Sequence, residues 1–350
     1  MSAGGAQDPA TAARLRRALH AWYRRHHRRL PWRDTRDPYA IWVSEVMLQQ
    51  TRVATALERY PAFLSRFPDL AALARSPEAQ VLAAWSGLGY YRRARALHAA
   101  ARILVRDHGG RFPAEPAALA ALPGIGRSTA GAIASIAFDR PAAVLDGNVA
   151  RVLQRLMARA AGEPPRATEL WAQAQALLPA RAGAIHTQAM MELGAVVCLP
   201  ARPRCPACPV SRWCGARTRG LEQRVPAPAP RARGVSETEH AALAWSARGL
   251  VLQRRDGPGP LRGLVGLPLA ASRAALLHLL GAGARVAGPL PAVRHAILNR
   301  RILTHVWEVR VAAGAALGDG LFAVPRRRVF EQPLDGTSRK VLRARLGAGG

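Results

Sequence analysis

Four cysteines, Cys198, Cys205, Cys208 and Cys214, form a C-x6-C-x2-C-x5-C array in a loop rich in proline and arginine, and the chain has no others. Four thiols so close in a reducing compartment point to a metal centre, not to disulfides. Zinc is one reading, although zinc knuckles usually come as two C-x2-C pairs and only one close pair exists here. An iron–sulfur cluster is the other. With no cysteine outside the array, the centre is expected to be structural. Two carboxylates add chemistry. In Asp37-Pro-Tyr-Ala-Ile-Trp-Val-Ser-Glu-Val-Met-Leu-Gln-Gln-Thr51, Asp37 and Pro38 read as the N-cap and first residue of a helix. Glu45 then shares a face with Gln49, with Leu48 and Arg52 adjoining. A lone helical glutamate is ordinarily solvated, but among Val43, Val46 and Met47 partial burial would raise its pKa until it can donate a proton. Asp146 ends a strand-like approach, Val144-Leu145, and precedes a helix, where it is either an N-cap or a carboxylate for stabilising positive charge.

The elements that must hold these groups come in two kinds. From Thr11 to about Arg219 the chain reads as short helices broken at proline or glycine, an all-α domain. Within it, Leu119-Ala-Ala-Leu-Pro-Gly-Ile-Gly-Arg-Ser-Thr-Ala-Gly131 reads as helix, turn, helix. Gly124 and Gly126 let the backbone approach a ligand closely, and the second helix presents free N–H groups to an anion. Residues 225–234 form a proline-rich linker. Beyond it, β-like runs at Ala241–Trp245, Leu250–Gln253 and Ile302–Val311, with helices at Ser272–Leu280 and near the end, predict an α+β domain.

The 350 residues carry a formal charge of +29, which calls for a polyanionic partner, and both domains are basic. With 49% apolar residues and no apolar run long enough for a membrane, the expectation is a folded chain with sizeable cores. Met1 to Pro9 lacks a secretory pattern, so a cytoplasmic setting is expected. Nearly all the base is arginine, the mark of a GC-rich genome. The single lysine is Lys340, so Schiff-base chemistry has no candidate before it.

Taken together, Leu30-Pro-Trp-Arg33, Asp37–Thr51, Gly87-Leu-Gly-Tyr-Tyr-Arg-Arg-Ala-Arg95, Leu122–Ala130, Leu145-Asp-Gly-Asn-Val149, Gln188-Ala-Met-Met-Glu-Leu-Gly194 and the cysteine loop resemble the adenine DNA glycosylase (MutY) family of the helix-hairpin-helix iron–sulfur superfamily. The matching stretches run through residues 14–220. The resemblance implies an all-α helix-hairpin-helix glycosylase domain with a [4Fe-4S] loop held by the four cysteines, followed by a smaller α+β Nudix-like domain. Its implied divisions are 1–224 for the glycosylase domain (a six-helix module about 37–141; a cluster module of about 10–36 plus 142–220), 225–237 for the linker and 238–350 for the second domain. The implied activity is hydrolysis of the N-glycosidic bond of adenine mispaired with 8-oxoguanine or guanine in duplex DNA.

By the same resemblance, Glu45 protonates the flipped adenine and activates water, and Asp146 stabilises the oxocarbenium-like sugar. Trp32, Arg33 and Gln188 line the adenine pocket, Gln50 and Tyr90 fill or wedge the duplex, and Leu48, Thr51, Asn148, Gly124, Gly126 and Ser128 complete the substrate and DNA contacts. Arg202, Arg204 and Arg212 of the cluster loop would face phosphates. Endonuclease III-type enzymes carry a catalytic lysine where this chain has Ser128, and a serine forms no imine, so a monofunctional enzyme is expected. The second domain resembles its counterpart through Gly263-Leu-Val-Gly-Leu-Pro268 and Val293-Arg-His295. Ser272–Leu280 has no acidic residue for a magnesium-dependent Nudix site. Where the family has a Phe-Ser-His turn, this chain has Ile297, Leu298 and Asn299, and Asn299 is the candidate donor to 8-oxoguanine. A monomeric, nucleoid-associated bacterial protein with no membrane contact is expected. The competing readings are an endonuclease III-like glycosylase for other lesions and a non-catalytic iron–sulfur DNA-binding protein.

Overall fold

The computed structural model describes residues 8–158, 165–227, 234–297, 299–312 and 316–347. Its helices are α1 (Pro9–His26), α2 (Pro38–Leu48), α3 (Val53–Arg66), α4 (Leu70–Arg75), α5 (Glu78–Ala84), α6 (Arg92–Asp107), α7 (Pro116–Ala120), α8 (Arg127–Phe138), α9 (Gly147–Leu156), α10 (Ala167–Ala176), α11 (Gly183–Val196), α12 (Gly215–Thr218), α13 (Arg273–Leu280) and α14 (Gly336–Leu346). The strands are β1 (Val235–Ser246), β2 (Gly249–Arg254), β3 (Val265–Gly266), β4 (Leu269–Ala270), β5 (Arg285–Ile297), β6 (Arg300–Arg310) and β7 (Leu321–Val324). The chain divides into two compact units. Unit 1 comprises Met1–Tyr60, Asp69–Ala71 and Ala99–Pro230; unit 2 comprises Pro61–Pro68, Ala72–His98 and Arg231–Gly350.

Unit 1 is helical because its apolar residues recur at helical spacing and its helix starts carry side-chain caps. Asp37 accepts from the amides of Tyr39 and Ala40 and Asp146 from that of Val149, each in extended backbone just before its helix. A core of Leu15, Leu19, Trp22 and Tyr23 from α1 packs with Val152 and Leu153 of α9, Leu170 of α10 and Met190 and Leu193 of α11. A second cluster joins Ile41 of α2 to Ala132 and Ile136 of α8 and to Val144. The stretch before Asp146 is irregular and not strand-like as its apolar run suggested. Among the described residues unit 1 has no strand to pair with it, and the Ser128 hydroxyl accepts from the amide of Leu145 instead, 3.2 Å away.

In unit 2 a seven-stranded sheet runs β3-β2-β1-β6-β5, with β4 added to β1 and β7 to β2. The β1 and β6 pairing is parallel; the other named strand pairs are antiparallel. One face packs Ala241, Leu243, Val293 and Val306 against Val341 and Leu342 of α14. The other packs Ala242, Ala244 and Val309 against Leu276 and Leu280 of α13. From the helical part of the same unit, the hydroxyls of Ser86 and Tyr91 both donate to the carbonyl of Leu334, at 3.1 and 3.0 Å. Among the described residues no helix is long and apolar enough to cross a membrane.

Candidate active site

Helix α2 is apolar on every side: Ile41, Trp42, Val43, Val46 and Met47 are buried, and Glu45 is its one charged residue. Such a helix belongs in a core, where an ionised carboxyl has no water to hold it. Glu45 opens instead onto a cavity of about 160 Å³ within unit 1, whose walls include Trp32, Arg33, Asp146, Asn148, Gln188 and Glu192. That volume suits one heterocyclic base, well below a drug-sized site. Burial raises the Glu45 pKa to about 7, the negative charge of Asp146 adds to the rise, and Arg33 opposes it. A carboxyl titrating there is present as both acid and base near neutrality.

Asp146 reaches the same cavity from the start of α9. Burial raises its pKa too, while the Val149 amide at 2.7 Å and the Asn148 side-chain amide at 3.3 Å pull it back down. Asn148 is itself held by Arg151, whose guanidinium donates to the Asn148 side-chain oxygen at 2.9 Å, to the Gly194 carbonyl at 2.8 Å and to the Cys198 carbonyl at 2.8 Å. Only a glycine lets α11 come this near, because a Cβ on Gly194 would lie 2.6 Å from the Cβ of Asn148.

A third carboxylate behaves oppositely. Glu192, on α11, has no exposed side-chain surface; burial pushes its pKa up, but Arg28 and Arg33 outweigh that and hold it at about 2. Arg28 donates its backbone amide, Nε and Nη2 at 2.9, 2.9 and 2.6 Å, and Arg33 its Nη2 at 2.8 Å. Arg33 also lies over the Tyr23 ring at 5.6 Å, and Tyr23 donates to the Gln188 side-chain oxygen at 3.0 Å. Trp32 is buried edge-on to Tyr60 at 5.3 Å. One wall therefore carries a fixed anion and a fixed cation, while the facing carboxyl of Glu45 is free to change its proton.

This cavity lies in a segment with known counterparts. The profile of the HhH-GPD superfamily base excision DNA repair proteins matches residues 43–175. The chain is 43% identical over 223 residues to the adenine DNA glycosylase of Mycobacterium tuberculosis, covering 63% of this chain and 72% of that protein. The chain belongs to the adenine DNA glycosylase family. The human adenine DNA glycosylase is 43% identical over 281 residues, or 76% of this chain and 51% of that protein, and the rat one is 44% identical over 280 residues, covering 53% of its length. The chain thus spans about half the length of its mammalian relatives. Among solved structures, a thermostable thymine-DNA glycosylase superposes with a TM-score of 0.56 at 27% identity, covering 61% of this chain and all of that one. An endonuclease III from a DNA complex gives 0.53 at 21% identity, over 61% of this chain and 98% of its own, and shows the shared fold.

In this member of the adenine DNA glycosylase family, Leu48 and Thr51 also line the cavity. Gln49 is the C-cap of α2, with helical φ −58° and ψ 112°, and its side-chain amide donates to Thr129 at 3.2 Å. The turn after α7 is built as expected, with Gly124 at φ 75°, a left-handed conformation that suits glycine, whereas Gly126 has an ordinary φ and open space where a Cβ would go. Gln50 is exposed with φ 55°, and Tyr90, in unit 2, is 42% exposed with φ 47°. Both are non-glycine residues in left-handed backbone, where strain collects at functional loops.

The four cysteines are partly buried and unpaired by disulfides. Burial pushes the Cys208 thiol up to about 12, with Cys198, Cys214 and Cys205 near enough to add their charges. The buried Arg155 points Nη1 at the Cys198 sulfur, 3.2 Å away, and secures the loop through the carbonyls of Leu199, Pro200 and Val225. Among the described residues no group of three or more His, Cys, Asp or Glu converges tightly enough for a single metal ion. In unit 2, Asn299 is exposed and its carbonyl accepts from the Val235 amide. Leu298 lies outside the described residues. Tyr90, His295, Ile297 and Thr337 line a larger cavity of about 430 Å³ in that unit.

Sequence reasoning named Gln188 and missed Glu192, four residues on, together with its partner Arg28. The available signal was a single acid in the apolar α11, with arginines in a segment already singled out at Trp32 and Arg33.

Proposed function

We propose that this chain is a monofunctional DNA glycosylase that hydrolyses the N-glycosidic bond of adenine mispaired with 8-oxoguanine or guanine in duplex DNA. The observation that carries the reading is the Glu45 carboxyl, poised at about 7 above a base-sized cavity and facing Asp146. An extruded adenine enters beside Trp32 and Gln188, excluding water. Protonated Glu45 gives its proton to a ring nitrogen, which turns adenine into a leaving group. As the C1′–N bond breaks, positive charge grows on the sugar, and the Asp146 carboxylate, held toward its charged form by Val149 and Asn148, stabilises it. Glu45, now ionised, takes the proton of the attacking water. The Glu192–Arg33 pair keeps the pocket wall rigid throughout.

Ser128 supplies no amine, so base release ends at an abasic site without efficient strand cleavage. The turn at Gly124 and Gly126 takes the phosphate backbone, with Gln50 and Tyr90 as the residues that enter the duplex. Cys198, Cys205, Cys208 and Cys214 would hold a [4Fe-4S] cluster, which when bound stiffens the loop carrying Arg202, Arg204 and Arg212. The donor set fits: four thiols and no competing ligand, with a buried guanidinium at one sulfur to balance negative charge.

The second domain is read as a catalytically silent Nudix-like one, since α13 carries no acid for a metal; the linker expected at 225–237 ends sooner, because Val235 already opens β1 and pairs with β6. The glycosylase chemistry is assigned to residues 1–224, acting as a cytoplasmic monomer, although Pro61–Pro68 and Ala72–His98 of that stretch group with unit 2. The test is incubation with duplexes bearing adenine opposite 8-oxoguanine, guanine or thymine, with and without alkali. Product seen only after alkali, and fastest opposite 8-oxoguanine, is the expected result; no release from any duplex would leave a non-catalytic DNA-binding protein.

A further inference from the structure

The sheet of unit 2 sorts its charges by face. In the parallel β1–β6 pairing, Glu237 and Glu239 stand opposite Ile302 and Thr304, on the face packed against α14. They are spoken for there: Glu237 pairs with Arg300, and Glu239 accepts from Thr304 at 2.7 Å and pairs with His295 at 3.5 Å. The other face carries no acid on these registers. Its cross-strand neighbours are Ser236 with Arg301, Thr238 with Leu303 and His240 with His305, and on β5 Arg294 with Leu303 and Ala296 with Arg301.

Beyond the patch covered by α13, this outer face is open. Arg294, Ala296, Arg301, Ser236 and Thr238 are exposed, and His240, His305, Leu303 and Trp307 are half-exposed. Among the described residues neither Arg294 nor Arg301 has an ion-pair partner. The rings are ordered into a row. His240 lies near-parallel to His305, centroids 5.2 Å apart at 24°, and Trp307 lies beside His240 in nearly the same plane, at 6.1 Å and 11°, its N–H donating to His240 at 3.0 Å. Arg273 closes the Trp307 end at 4.9 Å. Toward Leu303 the row ends on His305, and the guanidiniums of Arg294 and Arg301 lie on that side.

We propose that this outer sheet face binds an unpaired nucleic-acid strand, with a base stacked on the His305 ring that the His240–Trp307 row holds in place and its flanking phosphates on Arg294 and Arg301. A flat, acid-free sheet with ordered rings and free cations is the chemistry that holds single strands, because every unpaired base has a face to stack and every linkage a charge. A duplex keeps its bases stacked inside and would use only the arginines. The site is separate from the cavity at Glu45 and does not depend on the reading of that cavity.

The test is fluorescence anisotropy with the full-length chain near physiological salt, where weak non-specific phosphate binding is suppressed. The probes are an oligothymidine of about 12 nucleotides, within the footprint of such surfaces, the same backbone built wholly of abasic units, and a short intact duplex. Wild type should prefer oligothymidine to the abasic strand. His305→Ala should erase that preference, an effect of about tenfold, and Arg294→Glu with Arg301→Glu should weaken both single strands more than the duplex. Adenine release from a short mispaired duplex should persist in both variants, with unfolding temperatures near wild type. No preference in wild type, a preference that survives His305→Ala, or an equal loss on the duplex would overturn the proposal.

Discussion

Glu45 and Glu192 are the same residue type in the walls of one cavity, each the sole acid of an apolar helix, yet the first titrates at about 7 and the second at about 2. Both are driven up by burial. What separates them is company: Glu192 is gripped by Arg28 and Arg33, and Glu45 faces another carboxylate. Burial without a partner makes a proton donor; burial with two guanidiniums makes a permanent anion and a structural clamp. One cavity therefore holds both kinds of carboxyl.

The sharpest way to break this comparison is to remove the titrating proton. Glu45→Gln should lower single-turnover adenine release by about 10³-fold or more, in the range of lost general acid–base catalysis, while leaving duplex affinity unchanged in a filter-binding assay. Equal loss of both would make Glu45 a structural residue. Glu192→Gln should act through stability instead. It leaves two guanidiniums facing a neutral amide, and chemical denaturation should show a loss of about 3–5 kcal/mol.

The pH dependence should also separate them. Glu45 must be protonated to act, so release should fall as pH rises through about 7 and this limb should vanish in Glu45→Gln. For stability the signs are opposite. The raised folded pKa of Glu45 favours folding when protonated, and that contribution fades as pH rises from its unfolded value through about 7. The depressed pKa of Glu192 gives stability that is present above its unfolded value near 4.5 and is lost as pH falls toward about 2. Thermal unfolding of the two Gln variants against wild type between these limits reads both. The smallest effect is expected at Ser128→Ala, which removes the acceptor for the Leu145 amide before Asp146. A destabilisation of about 1 kcal/mol with a slower release rate is expected, and an unchanged rate would show that this tie does not position the aspartate.

Much of the site was legible because local rules suffice for it. Asp37 and Asp146 cap helices as their positions announce, Gly124 takes the left-handed turn, and the cysteine spacing confines four thiols to one loop. The β-like runs after the linker became strands for the same reason, since alternation marks a half-buried sheet. Other features were invisible. That the Gln49 amide at the C-cap of α2 meets Thr129 on α8 depends on a helix 80 residues away. That β1 pairs in parallel with β6 is a choice of partner, and it is this choice that sets His240 beside His305 and sends both glutamates to the other face.

By itself the sequence determined the helical and sheet-forming regions, the caps, the hairpin turn, the thiol array and the family, because each rests on spacing along the chain or on short contiguous stretches. Only the tertiary structure decided which carboxyl keeps a proton. Glu45 and Glu192 are each one acid in an apolar helix, and nothing in their neighbours along the chain distinguishes them. The difference is made by Arg28, Arg33 and Asp146, brought from distant segments, because a pKa responds to charges and solvent within a few ångströms and not to sequence separation.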